Sequence, residues 1–303
     1  MQRAATLAFR GAARVSERHE AAGYPRAARL ALWRSPTAML GAVILGLLVT
    51  AAALAPWIAP HDPLAINVGN ALAGASGQHL LGTDHLGRDT LSRLLYGSRA
   101  SLGAAGAVVA LVTAVGIAVG TAAGFYGGWV DELAMRLVDI LLALPSFILA
   151  LVVAGMLGPG LQNVVLAMVL VRWAGFARVV RSLVLSLREQ PYVEAARSLG
   201  ANDRRIMARH LLPNVVGPVV VLATLDLGSA ILGICGLSFI GLGVPLPHAE
   251  WGSMLNYARV YIQKAPLLMV YPGACISLAV LSANLLGDGL RDVLDPQSAH
   301  PPQ

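Results

Sequence analysis

Six apolar runs, each long enough to cross a bilayer, constrain this chain more than any other feature: 36–60, 100–126, 132–157, 163–186, 214–243 and 266–287. A hydrocarbon core about 30 Å thick takes roughly 20 helical residues, and only helices or closed barrels satisfy their backbone polar groups inside it. Runs of helix length therefore predict an all-α integral membrane protein with six transmembrane helices. Composition agrees: 56% of the 303 residues are hydrophobic and 13% charged, with a mean hydropathy of +0.67. A soluble domain with a charged surface does not reach such values. The 32 glycines and 17 prolines suit closely approaching, kinked spans. Cys235 and Cys275 both lie in apolar stretches, where a thiol behaves as a small hydrophobe, so neither a disulfide framework nor a cysteine metal site follows.

The net charge of +6 would point to nucleic acid in a soluble protein. Here the arginines read as topology marks, and no nucleic-acid partner is expected. Arg3, Arg10, Arg14, Arg18, Arg26, Arg29 and Arg34 precede the first run. Arg172, Arg178, Arg181, Arg188, Arg197, Arg204, Arg205 and Arg209 cluster before the fifth. Both regions are expected in the cytoplasm, and an even number of spans keeps both termini there. About 35 residues precede the first run, too many for a secretory signal, so it reads as an uncleaved anchor. The chain divides into a tail (1–35), a first helix (36–60), an external segment with an amphipathic helix lying on the outer interface (61–99), a core of five helices (100–287) and a second tail (288–303). Residues 1–30 and 296–303 lack apolar periodicity and are expected to be poorly ordered.

Between the fourth and fifth runs stands a charged island, "YVEAARSLGANDRRIMARHLLPN", residues 192–214. Pro191 favours a first helical turn, Gly200 suits the left-handed end of a helix, and Asn202 or Asp203 can cap the next one. Glu194 falls in the first turn, where the helix dipole favours a carboxylate. Ala195 and Ala196 leave a low-relief face. Two short helices with a bend are expected, with Pro213 stopping the second and Asn214 starting the fifth span. Taken alone, the island also fits an interfacial loop held to anionic lipid by its arginines.

Glu194, Ala195, Ala196, Gly200, Leu212 and Pro213 fall at the spacing of the EAA motif, E-A-A-x3-G-x9-I-x-L-P. His210 stands where that motif has isoleucine. Further marks are "LLGTDHLGRDTLSRLLYGSR", "GGWVDELAMRLVDILLALPS", "GLSFIGLG", "EWGSML" and "NLLGDGLRDVLDP". From about 34 to 296 the chain resembles the C-type permease subunits of dipeptide, oligopeptide and nickel importers, which are binding-protein-dependent ABC transporters of the bacterial inner membrane. The resemblance implies a type I ABC importer permease fold and a non-catalytic subunit forming half of a translocation path. It implies that segment 188–213 docks into cytoplasmic ATPases. Implied partners are a second, homologous permease, two ATP-binding subunits that carry ATP and Mg, and an extracytoplasmic solute-binding protein. The residues agree with the absence of a cofactor in this chain: a P-loop needs lysine after glycine, and the only lysine, Lys264, follows Gln263.

Charges inside spans are costly and mark function by default. Arg172 and Asp226 are translocation-path candidates, and a mutual ion pair between adjacent spans is the alternative. Asp139 is expected to pair with Arg136. In the external segments, Asp84, Arg88, Asp89, Glu250 and Trp251 are candidates for an outer gate or for docking the binding protein. His61, His79 and His85 lie near Asp62, Asp84 and Asp89. Imidazole with carboxylate suits nickel, but the spacing matches no compact ligand motif. A helix-capping, salt-bridged scaffold is expected there, with no metal. The "GASG" at 74–77 places its serine in a polar loop, unsuited to intramembrane catalysis. A secondary transporter is the rival class; it would work without ATPase subunits.

Overall fold

The computed structural model describes residues 35–294; the expectations for 1–30 and 296–303 lie outside the described residues. Helix α1 (Pro36–Ile58) starts behind Ser35, whose hydroxyl accepts from the Ala38 N–H. Helix α2 (Thr90–Tyr126) is followed by α3 (Gly128–Leu142), α4 (Ser146–Leu157) and α5 (Leu161–Arg188). The short α6 (Pro191–Ser198) and α7 (Asp203–Ile206) lead through a π-turn, Met207–Leu211, into α8 (Leu212–Phe239). Helices α9 (Trp251–Ala258) and α10 (Leu267–Leu294) complete the described chain. One isolated bridge, Thr83 with Asp89, is the only β-pairing among the described residues.

Five helical stretches are long and apolar enough to cross a membrane: α1, α2, α5, the run Asp203–Phe239, and Leu267–Asp292. The sixth expected span is broken. Helices α3 and α4 pass the same test only as a pair, bent by 90°. The break falls at Pro145, which has no N–H to continue the ladder and whose ring clashes with the preceding turn. Span two also departs from expectation. The amphipathic segment around 90–99 is not a separate helix on the interface but the first turns of α2. That helix has 37 residues, about 55 Å at 1.5 Å per residue, well beyond the ~30 Å hydrocarbon core. Its first arginine is not water-facing, because loops cover it: Arg93 is buried together with Leu94, while Arg99 stays exposed. Likewise α10 continues to Leu294, past the boundary expected at 287.

The core lies where α2, α5 and α8 meet, with α10 against α8 and α1 against α10. Glycines set the closest approach. A Cβ on Gly116 would sit 2.4 Å from Phe176 Cβ, and on Gly120 2.5 Å from the Ala177 carbonyl oxygen; on Gly124 it would be 2.9 Å from Val184 Cβ. These glycines recur every fourth residue and form the small-xxx-small ridge that lets two membrane helices touch backbone to backbone. The outward faces stay apolar, as lipid requires: Leu40, Val43, Leu47 and Trp57 of α1 are exposed.

Loops 59–89, 158–160 and 240–266 gather at one end, the loop end. Arg93 reaches the carbonyls of Pro63 and Pro247, and the Gly160 N–H donates to Leu242. At the opposite, hinge end, Arg188 donates to the Gly124 carbonyl, and α6 and α7 follow. Gly120→Ala should destabilise the folded chain by about 1–3 kcal/mol, the usual cost of overpacking. Gly106→Ala on the same helix, where nothing lies within 4 Å of an added Cβ, should be neutral or stabilising by up to about 1 kcal/mol. Thermal unfolding in detergent reads both, and equal shifts would contradict the packing.

Candidate functional site

At the hinge end, the local sequence folds as its residue types require. Pro191 opens α6, Gly200 takes φ +82°, and the Asn202 side chain accepts from the Arg205 N–H at 2.9 Å to cap α7. Val193, Ile206 and Leu211 are buried and pin the module to the bundle. On the other face Glu194, Ala195 and Gly200 are exposed and Ala196 half-buried. Leu199 is 88% exposed, an apolar knob at the bend. Pro213 does not stop a helix here. The π-turn, in which the Leu212 N–H donates to the Met207 carbonyl, adds a residue to the turn and lets the chain pass the proline without ending. The Asn214 side chain donates to the His210 carbonyl at 2.7 Å. Asp203–Phe239 is therefore continuous, and Leu212 and Pro213 belong to it. The His210 ring lies 6.3 Å from that of Tyr192, so the residue that departs from the motif bridges the two halves of the module.

Within the bundle, Arg172 of α5 and Asp226 of α8 form an ion pair. Both side chains are mostly buried, at 18% and 15% exposure, and Arg172 Nε and Asp226 Oδ2 have no hydrogen-bond partner. Asp139 pairs with Arg178 of α5, not with Arg136, which pairs with Glu132 at 3.3 Å. One turn of helix separates Arg136 from Asp139, but α5 runs alongside α3 and offers a better-placed cation. A second cross-helix pair joins Asp131 and Arg181. Arg178 and Arg181, which read as topology marks, thus lace α3 to α5; the available signal was the acidic residues of the apolar run 132–157 and its flank.

At the loop end, Arg88 and Asp84 meet at 2.7 Å, and Arg93 approaches the same carboxylate at 3.3 Å. Arg93 also donates to the Pro247 carbonyl at 3.1 Å. Asp89 caps α2, its Oδ2 accepting from the Ser92 N–H at 2.8 Å and the Ser92 hydroxyl at 2.7 Å. Glu250 caps α9 through the N–H groups of Gly252 and Ser253 and accepts from the Ser101 hydroxyl at 2.9 Å. Trp251 Nε1 donates to the Leu94 carbonyl at 3.1 Å. Asp84, Arg88, Asp89, Glu250 and Trp251 are all buried within this chain. They form an internal scaffold that joins two loops, 59–89 and 240–266, to the starts of α2 and α9.

The histidines of the segment part company. His61 and His79 both approach Asp89, at 3.7 and 2.9 Å. His85 instead stacks on Tyr261 with ring centroids 5.4 Å apart. Burial pushes the His85 imidazole below its ordinary value; Asp84 opposes this, and Arg88 and Arg93 reinforce it. For Asp89, burial would raise the carboxyl, but the Ser92 N–H, His79, the Ser92 hydroxyl and the charge of His61 together hold it below the usual carboxylate range. Its charge is thus secured where α2 begins, and a carboxylate complements the positive end of the helix dipole.

Comparison with known proteins draws these features together. Residues 115–300 match the family described as binding-protein-dependent transport system inner membrane component, and residues 25–75 match the N-terminal TM domain of oligopeptide transport permease C. The chain is 46% identical over 257 residues to the nickel transport system permease protein NikC of Escherichia coli (strain K12), covering 85% of this chain and 93% of that protein. It is 42% identical over 266 residues to the dipeptide transport system permease protein DppC of Alkalihalophilus pseudofirmus, covering 88% of each. It is 44% identical over 265 residues to the glutathione transport system permease protein GsiD of Escherichia coli O1:K1 / APEC, covering 87% of this chain and 88% of that protein. With six apolar helical units, a helix–glycine–helix module at one end and this breadth of similarity, the chain belongs to the family of inner membrane components of binding-protein-dependent transport systems.

Proposed function

We propose that this chain forms half of the translocation path of an ATP-driven importer, and that segment 188–213 is the handle by which partner ATPases move it. The exposed face of Glu194, Ala195 and Leu199, set on a module pinned by Val193, Ile206 and Leu211, carries this reading. Small residues and one apolar knob suit a groove on another protein. A rigid connection follows, because α7 passes without interruption into α8. Force applied at Glu194, Ala195, Ala196 or Gly200 is transmitted through Leu212 and Pro213 to Asp226, and from Asp226 to Arg172 on α5.

In this arrangement the hinge end and both termini face the cytoplasm and the loop end faces outward. A second, homologous permease completes the path. Two ATP-binding subunits bind ATP and Mg, and an extracytoplasmic protein delivers the solute. The cargo is a short peptide, nickel or another metal chelate; the relatives are named for nickel, dipeptide and glutathione transport. The scaffold of Asp84, Arg88, Asp89, Glu250 and Trp251 holds the loops that close the outer gate, while Arg172 and Asp226 tie the two spans that flank the path.

Glu194→Lys or Gly200→Pro should reduce ATPase co-purification or ATP hydrolysis by the assembled complex at least tenfold while leaving membrane insertion intact; undiminished uptake without ATPase subunits would favour a secondary transporter. Removing one partner of a buried ion pair costs about 3–5 kcal/mol, so Arg172→Met and Asp226→Asn should each impair uptake at least tenfold. The exchange Arg172→Asp with Asp226→Arg should restore most of it. Unimpaired single variants would remove the pair from the mechanism.

A further inference from the structure

Two imidazoles and one carboxylate converge at the loop end in a way that the scaffold does not require. A single hydrogen bond to Asp89 Oδ1 would complete the cap of α2, and His79 Nδ1 supplies it at 2.9 Å. His61 Nδ1 nevertheless approaches the same oxygen at 3.7 Å. The two rings lie 4.7 Å apart, and one donor atom from each of His61, His79 and Asp89 lies within 4.8 Å of the others. Ligands held about 2.0–2.2 Å from a tetrahedral metal stand roughly 3–4 Å from one another, so small side-chain rotations bring this set to bonding distance.

Further contacts hold the three residues in place. Ser92 holds Asp89 Oδ2 through its N–H and hydroxyl, leaving Oδ1 to face both rings. The same Ser92 Oγ accepts from the His61 N–H at 3.1 Å. His79 is fixed by reciprocal bonds with Ser76, 3.0 Å from its N–H to Ser76 Oγ and 2.8 Å from the Ser76 N–H to its carbonyl. The Ser92 bonds orient the carboxylate as an outer partner of a metal ligand does, and the backbone bonds fix where the two imidazoles start. Access is graded as well: the side chains of Asp89, His79 and His61 are 0%, 16% and 40% exposed. The carboxylate forms the floor and His61 the solvent-facing rim.

We propose that His61, His79 and Asp89 form a binding site for a first-row divalent metal of the nickel, cobalt or zinc type. Two nitrogens and one oxygen suit these borderline ions, whereas calcium and magnesium require mostly oxygen ligands. A bound ion would clip the segment that follows α1 to the start of α2. The side of the membrane it faces rests on the proposed orientation; the site itself does not.

The test uses the purified full chain in detergent, carrying no polyhistidine tag, titrated with Co2+ and Ni2+. The wild type should retain one Co2+ per chain after desalting and develop visible d–d absorption bands. His61→Asn and His79→Asn should each weaken binding at least tenfold, while His85→Asn and His248→Asn leave it unchanged. His61→Asn is the cleaner variant, since its backbone bond to Ser92 persists, and an unchanged melting temperature confirms its fold. Absence of stoichiometric binding by the wild type, or His61→Asn binding as tightly as wild type, overturns the proposal and leaves the cluster a hydrogen-bonded helix cap. Neither readout depends on ATPase partners, so failure here is distinguishable from failure of the coupling role.

Discussion

The continuity of Asp203–Phe239 through Pro213, where the charged module meets the apolar span, underlies the rest of the architecture. Proline removes one donor and crowds the preceding turn. The chain responds with a π-turn and with the Asn214 side chain on the His210 carbonyl, not with a break. The second half of the charged module, α7, and the Asp226 half of the buried ion pair therefore sit on one continuous element. Where the same problem arises at Pro145, no such compensation follows, and α3 and α4 bend by 90°. Two prolines in two apolar runs thus produce a lever in one place and an elbow in the other.

The two ends of the bundle are built on opposite principles. At the loop end, charged groups are buried and matched: Arg88 and Arg93 on Asp84, Glu250 on two N–H groups and a serine, Asp89 on Ser92 and His79. Buried ion pairs add little net stability but are costly to break singly, so this end holds one arrangement of its loops. At the hinge end, the module touches the bundle through a few buried aliphatic side chains, and its charges are left to solvent. Such a segment is free to be gripped and moved. Between the ends, the glycine ridge of α2 locks that helix to α5 at backbone distance.

Much of this was legible in the sequence because the bilayer enforces simple rules. Apolar run length predicted the spans, and Pro191, Gly200 and Asn202 predicted the two-helix module through turn and cap chemistry alone. What escaped were features decided by neighbours distant in the chain. The partner of Asp139 is Arg178 of α5, not its own helix neighbour Arg136. The arginines of segment 88–93 turned inward because Pro63 and Pro247 bring carbonyls over them. Leu199 stood unremarked among charges, although an apolar residue just before a left-handed glycine was the visible signal. His61, His79 and Asp89 match no compact motif because a loop, not a helix repeat, brings them together.

The central claim is that a partner ATPase grips the module around Gly200. Leu199→Cys, at the most exposed apolar position of that module, tests it most directly in intact inner-membrane vesicles carrying the whole importer. Cross-linking with a short bifunctional maleimide should join this chain to an ATP-binding subunit, in a yield that changes when ATP is added. Labelling of Leu199→Cys by an impermeant maleimide from outside intact cells, with no adduct to an ATP-binding subunit, would contradict it.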